Sequence, residues 1–277
     1  MERPVSICYS GNKAIFHGIL LSVLSLVKYS DRTLHVHVLS MDLREQNPDY
    51  ACISENQIDV LNAVLREKNA QSSAQLIDVT HLYRADLAKG KNANNHYTPY
   101  AQLRLYLSEL QNIPDKILYL DADTMAAADA GELFDIDIDG YEYGAVLDYL
   151  GRFWISPTYC NSGVLLMNMV ELKKTGLLPR VREFVPTRRM IMPDQTALHR
   201  LHTSRLILPD RFNEQRAIKS DTVIKHFCRG IAWFPFFHLY NIKQWDRDAV
   251  HKRLKIYRYD DVYAAFDRLA QRFDLTK

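Results

Sequence analysis

Apolar residues near the start of the chain fall into short blocks whose period switches between two and about 3.6. Val5 to Tyr9 predicts a strand, Ser10-Gly11-Asn12 breaks it, and Ala14 to Tyr29 has the wider apolar spacing of a helix. Leu34, Val36 and Val38 alternate with His35 and His37, which predicts a second strand. Ser54-Glu55-Asn56-Gln57 has the form of a capping box that opens a helix to about Lys68, and Leu76 to Val79 predicts a third strand. Pro99 to Leu110 carries Leu103, Tyr106, Leu107 and Leu110 at helical spacing. It leads into Lys116-Ile117-Leu118-Tyr119-Leu120, a run suited to a strand buried on both faces. Such alternation predicts an α/β protein with a mostly parallel central sheet flanked by helices.

Beyond Asp123 the pattern is less regular, with strands expected at Tyr143 to Leu147, Gly163 to Met167 and Thr222 to Phe227. No internal repeat or low-complexity linker divides the chain. The reading is one domain over 1–240 followed by a helical carboxy-terminal extension over 241–277. Within that extension, Asp246 to Tyr259 mixes Arg247, Lys252, Arg253, Lys255 and Arg258 with Tyr257 and Tyr259. This segment is the candidate for peripheral contact with an anionic membrane surface, although a solvated helix explains the same composition.

With 277 residues, 47% of them hydrophobic, the chain has enough apolar material for a full core. Its 35 basic and 33 acidic residues leave a formal charge of +2, so no overall field points to nucleic acid as a partner. Cys8, Cys52, Cys160 and Cys228 are far apart and form no CxxC, which fits reduced thiols. The apolar stretch from Gly18 to Val27 is too short to span a bilayer. A cytoplasmic protein is expected, with peripheral contact at the inner face of the membrane as the further possibility.

The most informative chemistry is Tyr119-Leu120-Asp121-Ala122-Asp123, which sets two carboxylates one residue apart at the end of a buried strand. Ligands of open α/β sheets bind beyond the carboxyl ends of the strands. Carboxylate oxygens suit a divalent cation shared with substrate phosphates. A bare Asp-x-Asp also occurs in ordinary turns, so its position is what directs it to chemistry. His226 ends the Thr222 to Phe227 strand, and if that strand is a parallel neighbour in the sheet it discharges on the same edge. An imidazole beside two carboxylates favours Mn²⁺, with Mg²⁺ as the alternative. Asp194-Gln195 opens a helix after Pro193, where an aspartate serves either as a cap or as an acceptor for sugar hydroxyls. Asn161-Ser162-Gly163 permits close ligand approach, and Asp148 ends another strand.

Taken together these segments resemble the retaining glycosyltransferases of family 8, which include glycogenin and bacterial lipopolysaccharide galactosyl- and glucosyltransferases. The matching motifs are Tyr119 to Asp123, Asn161-Ser162-Gly163-Val164-Leu165-Leu166-Met167-Asn168, Asp194-Gln195 and His226-Phe227-Cys228, from about Val5 to about Trp233. The resemblance implies a GT-A-type nucleotide-sugar-binding fold, a UDP-hexose donor, a saccharide or glycoconjugate acceptor, and Mn²⁺ on Asp121, Asp123 and His226. It further implies that Asp148, Asn161, Gly163, Asp194 and Gln195 surround the donor sugar, with Gln195 closest to the anomeric carbon. Tyr9, Ser10, Asn12, Arg104 and Cys228 complete the expected donor contacts. A retaining double displacement needs a carboxylate nucleophile close to the sugar, and Gln195 is an amide. Same-face attack, with the leaving phosphate taking the acceptor's proton, is therefore the expected mechanism for transfer of glucose or galactose.

The chain also departs from the family. Ser10-Gly11-Asn12-Lys13 stands where an Asp-Asp-Asn-Tyr-like run meets uracil and ribose. Gln102 stands where an arginine is usual, with Arg104 two residues on, and Arg229 and Ala232 replace the glycine and lysine after the metal histidine. Lys13 or Arg229 is then expected to supply the missing phosphate charge. These changes define the alternative reading, a catalytically impaired member that binds a sugar nucleotide or glycan as a scaffold. A haloacid-dehalogenase phosphatase fits less well, since its threonine falls one position later. A nucleotidyltransferase lacks its Gly-rich basic loop here.

Overall fold

The computed structural model describes residues 3–88, 90–92, 99–232 and 238–275; Trp233, where the resemblance ends, lies outside them. Strands β1 (Val5–Ser10), β2 (Leu34–Ser40), β3 (Ser73–Asp78) and β4 (Lys116–Leu120) pair in parallel in the order β3-β2-β1-β4. β5 (Thr124–Ala126) leaves this sheet. β6 (Tyr143–Leu147), β7 (Cys160–Asn168) and β8 (Arg205–Leu208) extend it to seven strands in the order β3-β2-β1-β4-β7-β6-β8. β7 runs antiparallel to both β4 and β6, and every other pair is parallel. The sheet is thus mostly parallel.

Alternation along each strand builds two cores. Leu118 and Leu120 of β4, with Val164 and Leu166 of β7, face the side covered by the Phe16–Tyr29 and Glu55–Lys68 helices. Ile117 and Tyr119, with Leu165 and Met167, face the side covered by the Pro99–Glu109, Leu177–Phe184 and Pro193–Leu201 segments. Ser54 does cap its helix, accepting from Gln57 N while the Gln57 side chain accepts from Ser54 N.

Strand order decides where the site lies. The chain steps outward from β1 through β2 to β3, then returns to place β4 on the other side of β1. The carboxyl ends of β1 and β4 therefore flank the switch in direction, which is where open α/β sheets form a crevice. Because β7 is reversed, its amino end carries Asn161, Ser162 and Gly163 to the same edge. β6 is parallel to β4 through that reversed strand and delivers Asp148 there as well.

Three elements differ from expectation. Pro99 to Glu109 is wound as a 3-10 segment rather than an α-helix, and Leu103 and Tyr106 sit as well on three residues per turn. The strand expected over Thr222 to Phe227 is only β9 (Ile224–His226), and it pairs antiparallel with β5 in a separate two-stranded sheet rather than in parallel within the main one. β10 (Gly230–Ala232) and β11 (His238–Tyr240) form a hairpin beyond it. Finally, Asp246 to Tyr259 is not one helix. It turns over Arg247–Ala249 and Val250–Leu254 and stops at Lys255, whose φ of 57° is left-handed. Tyr259, expected on a membrane-facing surface, is fully buried. The following helix, Asp260–Arg272, ties to the Phe16–Tyr29 helix through Lys28 and Asp261 at 2.8 Å.

A left-handed conformation costs a non-glycine residue about 1–2 kcal/mol. Lys255→Gly is therefore expected to raise the unfolding free energy by about 1 kcal/mol, after the entropy of glycine in the unfolded chain is subtracted. Denaturant unfolding measures this, and a loss of stability would show that the Lys255 side chain contributes more than its backbone costs.

Candidate active site

β4 ends at Leu120, and the chain turns at once: Thr124 N and Thr124 Oγ1 both bond the Asp121 carbonyl, at 3.1 and 2.8 Å. The turn leads into β5, whose Thr124 lies opposite His226 of β9. Antiparallel pairing with β5, not a parallel position in the main sheet, is what carries His226 to the acidic pair. Its Nε2 lies 3.1 Å from Asp123 Oδ1. Asp121, Asp123 and His226 each offer a ligand atom, all within 4.8 Å of one another. A Cβ at Gly163 would stand 2.2 Å from His226 Cε1 and 2.9 Å from Asp121 Oδ2, so glycine keeps the space between these ligands open. Two carboxylates and an imidazole around such a space fit a divalent cation of the Mn²⁺ or Mg²⁺ kind.

Two cations flank this cluster. Arg104, 1% exposed, reaches Asp121 Oδ1 at 3.0 Å and Asp194 Oδ2 at 3.4 Å, bonds the Ser162 carbonyl, and lies over the Tyr119 ring. The charge expected to be lost at Gln102 is present at Arg104, because the cleft wall is made by Tyr100, Ala101 and Arg104 and not by Gln102. Lys243 bonds Asp123 Oδ2 and donates to the Phe227 carbonyl at 3.0 Å. Burial alone would raise the Asp123 carboxyl, but Lys243 and His226 outweigh it and hold that group well below the usual carboxylate range. The Asp194 carboxyl is shifted the other way, since its burial exceeds the pull of Arg104.

The far end of the cleft is a hydrogen-bonded polar group set. Asp148 Oδ1 accepts from Leu150 N and Gly151 N at 3.1 and 2.6 Å; its Oδ2 accepts from Asn161 Nδ2 and Gln195 Nε2 at 3.0 and 3.3 Å. Gln195 Oε1 accepts from Ser162 N at 2.9 Å. Asp194 and Gln195 are both buried in the first turn of their helix, which begins at Pro193. Asn161, Ser162 and Gly163 lie within β7 rather than ahead of it.

All of these groups line a single cleft of about 560 Å³, together with Ser10, Asn12, Arg229 and Cys228. Ser10 Oγ shares a hydrogen with Tyr119 Oη at 2.6 Å, and Asn12 caps the turn that follows β1. Tyr9 is a correction. Being the neighbour of Ser10 on a strand, it points to the opposite face, is fully buried, and bonds Ser22 at 2.7 Å, away from the cleft. Of the two replacement cations, Arg229 lines the cleft and Lys13 does not. Lys243 was missed because the β10–β11 hairpin separates it from His226. Its signal was the Lys243-Gln244-Trp245 run, with Gln244 donating to the Ala122 carbonyl at 2.6 Å and Trp245 in the cleft wall. Asn213 and Gln215, which brace Asn161 and Leu147, were missed as well.

Fold and cleft define a GT-A-type glycosyltransferase, and comparison with known proteins agrees. Residues 6–232 match the model for glycosyl transferase family 8, to which the chain therefore belongs. Glycosyltransferase GlyF of Streptococcus pneumoniae serotype 4 is 24% identical over 185 residues, which cover 65% of this chain and 41% of that protein. Lipopolysaccharide 1,2-glucosyltransferase of Escherichia coli is 28% identical over 193 residues, covering 54% of this chain and 56% of that one. The chain thus spans less than two thirds of the length of both relatives. Among solved structures, galactosyltransferase LgtC in complex with donor and acceptor sugar analogs superposes with a TM-score of 0.69 at 19% identity, covering 94% of this chain and 96% of that one.

Arg104→Leu leaves Asp121 and Asp194 in the cleft without their shared cation. Breaking such a buried pair costs about 3–5 kcal/mol, so a loss of that size is expected in denaturant unfolding. A loss under about 1 kcal/mol would mean that the two carboxylates are solvated or protonated without it. Gly163→Ala is expected to displace His226 and to weaken whatever affinity the cluster has for a divalent cation, read by titration calorimetry.

Proposed function

We propose that the protein is a retaining hexosyltransferase that moves glucose or galactose from a UDP-sugar to a glycan-type acceptor by a metal-assisted, same-face mechanism. The observation that carries this reading is the convergence of Asp121, Asp123 and His226 with Asp148, Asp194 and Gln195 in one cleft at the switch point of the sheet. The galactosyltransferase LgtC, of the same fold, was solved with donor and acceptor sugar analogs, which supports a donor and an acceptor sharing the cleft.

Asp121, Asp123 and His226 would hold the cation. Once bound, it supplies Lewis-acid stabilisation of the diphosphate leaving group. The remaining work belongs to the chain. Lys243, which bonds Asp123 on the same cluster, would offer its ammonium to a phosphate oxygen there, the role expected of Lys13 or Arg229. Asp194 and Asp148 orient the sugar through its hydroxyls, and that positioning lowers the entropy cost of reaching the reactive geometry. Gln195 is held on both sides of its amide, by Ser162 N and by Asp148. An amide so held is a rigid dipole beside the anomeric carbon and a poor nucleophile, which favours same-face attack. The acceptor hydroxyl then approaches on the face the phosphate leaves, and its proton passes to the departing phosphate oxygen. The scaffold reading rests on the changed Ser10 to Lys13 run and on Gln102, Arg229 and Ala232; for the cations among these changes, the positions of Arg104 and Lys243 weigh against it.

Calorimetric titration of UDP into the protein is expected to show micromolar binding that requires Mn²⁺, and Asp123→Asn is expected to abolish it. Turnover of UDP-glucose or UDP-galactose should fall by 10²-fold or more in Gln195→Ala with KM changed less, as for a preorganised dipole at the reacting centre. Absence of UDP binding with and without Mn²⁺ would overturn the donor assignment.

A further inference from the structure

The buried polar groups between the metal cluster and Asp148 form a chain of hydrogen bonds that runs in one direction only. Four N–H donors converge on Asp148, from Leu150, Gly151, Asn161 and Gln195, so its oxygens act as acceptors. Asn161 must therefore turn its Nδ2 toward Asp148. Its Oδ1 then faces the other way, where the backbone N–H of Gly163 donates to it at 2.9 Å. A backbone amide can only donate, so both ends of the Asn161 amide are determined independently and agree. Asn213 Nδ2 donates to the same Asn161 oxygen at 3.0 Å. That leaves Asn213 Oδ1 to face His226 Nδ1, at 3.0 Å.

An amide oxygen accepts and cannot donate, so the hydrogen on this contact belongs to Nδ1. Nε2 faces the Asp123 carboxylate at 3.1 Å, also an acceptor, so its lone pair comes free only where a cation takes the place of the hydrogen on that contact, while the Nδ1 hydrogen stays directed at Asn213. Reversing Asn213 would bring its oxygen against the oxygen of Asn161, and reversing Asn161 as well would set it against Asp148 and turn its NH₂ on the Gly163 N–H. Asn213 is 1% exposed, so no solvent relieves either mismatch.

We infer that Asn213 is a positioning residue that holds His226 in the Nδ1–H tautomer, the form with its free lone pair aimed at the metal, and that it couples this nitrogen to the sugar-facing carboxylate Asp148. The inference rests on the proposed metal role of His226 for its function, but not for its geometry. Partners of this kind orient a ligating imidazole, and their loss typically costs 10–100-fold in metal affinity. The relay also makes the two halves of the cleft interdependent, because Asp148 holds the amide of Gln195.

The test is nitrogen-15 NMR of the histidine rings in the protein without metal and with diamagnetic Mg²⁺, joined to Mn²⁺ titration by electron paramagnetic resonance. In the unaltered protein His226 is expected to carry a hydrogen on Nδ1 in both states, and to be the Nδ1–H tautomer with Mg²⁺ bound. Asn213→Ala is expected to lose that preference and to bind Mn²⁺ 10–100-fold more weakly. Asn213→Asp, which keeps an acceptor toward His226 but cannot donate to Asn161, is expected to keep the tautomer and most of the Mn²⁺ affinity while raising KM for the UDP-sugar. An Nε2–H tautomer in the unaltered protein, or unchanged tautomer and affinity in Asn213→Ala, would overturn the inference. Should Asn213→Ala not fold, Asn213→Asp decides alone: a lost Nδ1–H signature sinks the inference. Failure of the metal reading is distinguishable, since it appears as no Mn²⁺ binding by the unaltered protein with the hydrogen on Nδ1 still present.

Discussion

One guanidinium, that of Arg104, is shared by carboxylates from two different elements, and the geometry of the cleft depends on it. Asp121 follows β4, Asp194 opens the Pro193–Leu201 helix, and the Ser162 carbonyl belongs to β7. Bringing two carboxylates together in a buried place is costly unless a cation lies between them. Tyr119 gives that cation an aromatic face and bonds Asp121 at 3.0 Å, so residues of one strand supply both the acid and part of its support. The tight winding of Pro99–Glu109 lets Arg104 also bond the Ala101 carbonyl at 2.7 Å, which fixes its side chain from below.

Reversal of β7 is the second constraint. In an all-parallel sheet only carboxyl ends of strands meet the ligand. Here one antiparallel strand lets an amino-terminal stretch, Asn161 to Gly163, enter the same edge, where it offers a backbone N–H, a carbonyl and a residue with no Cβ side by side. That combination anchors the Asn161 amide, clears the space between Asp121 and His226 and receives Arg104. The mixed sheet is thus part of the site and not an ornament of the fold.

Much of this was readable in the sequence where the information is local. The Lys116 to Leu120 run, the acidic pair after it and the Ser54 capping box depend on neighbours a few residues away, and they lie where local chemistry put them. His226 was named for a reason that does not hold, since antiparallel pairing with β5 brings it in, and pairing partners are set by tertiary packing rather than by pattern. Tyr9 failed on strand parity, a one-residue matter that turns a side chain to the opposite face. Gln102 was given the place of Arg104 because two residues of register cannot be resolved in a segment where both side chains are buried. Lys243 was hidden by the β10–β11 hairpin, which changes sequence spacing while leaving spatial position intact.

Charge balance in the cleft bears on the order of events. Asp121, Asp123, Asp148 and Asp194 line it, against Arg104, Arg229 and Lys243. Two of those cations are already engaged with carboxylates, Arg104 with Asp121 and Asp194 and Lys243 with Asp123. A diphosphate entering this cleft would meet carboxylates at short range in a medium where repulsion is stronger than in water. A divalent cation held by Asp121, Asp123 and His226 would offset those carboxylates at that point and leave the Lys243 ammonium less committed to Asp123. On the proposed reading, then, the electrostatics favour a cation in the cleft ahead of the diphosphate, with the ammonium that neutralises Asp123 as the chain's own second positive charge for the phosphate.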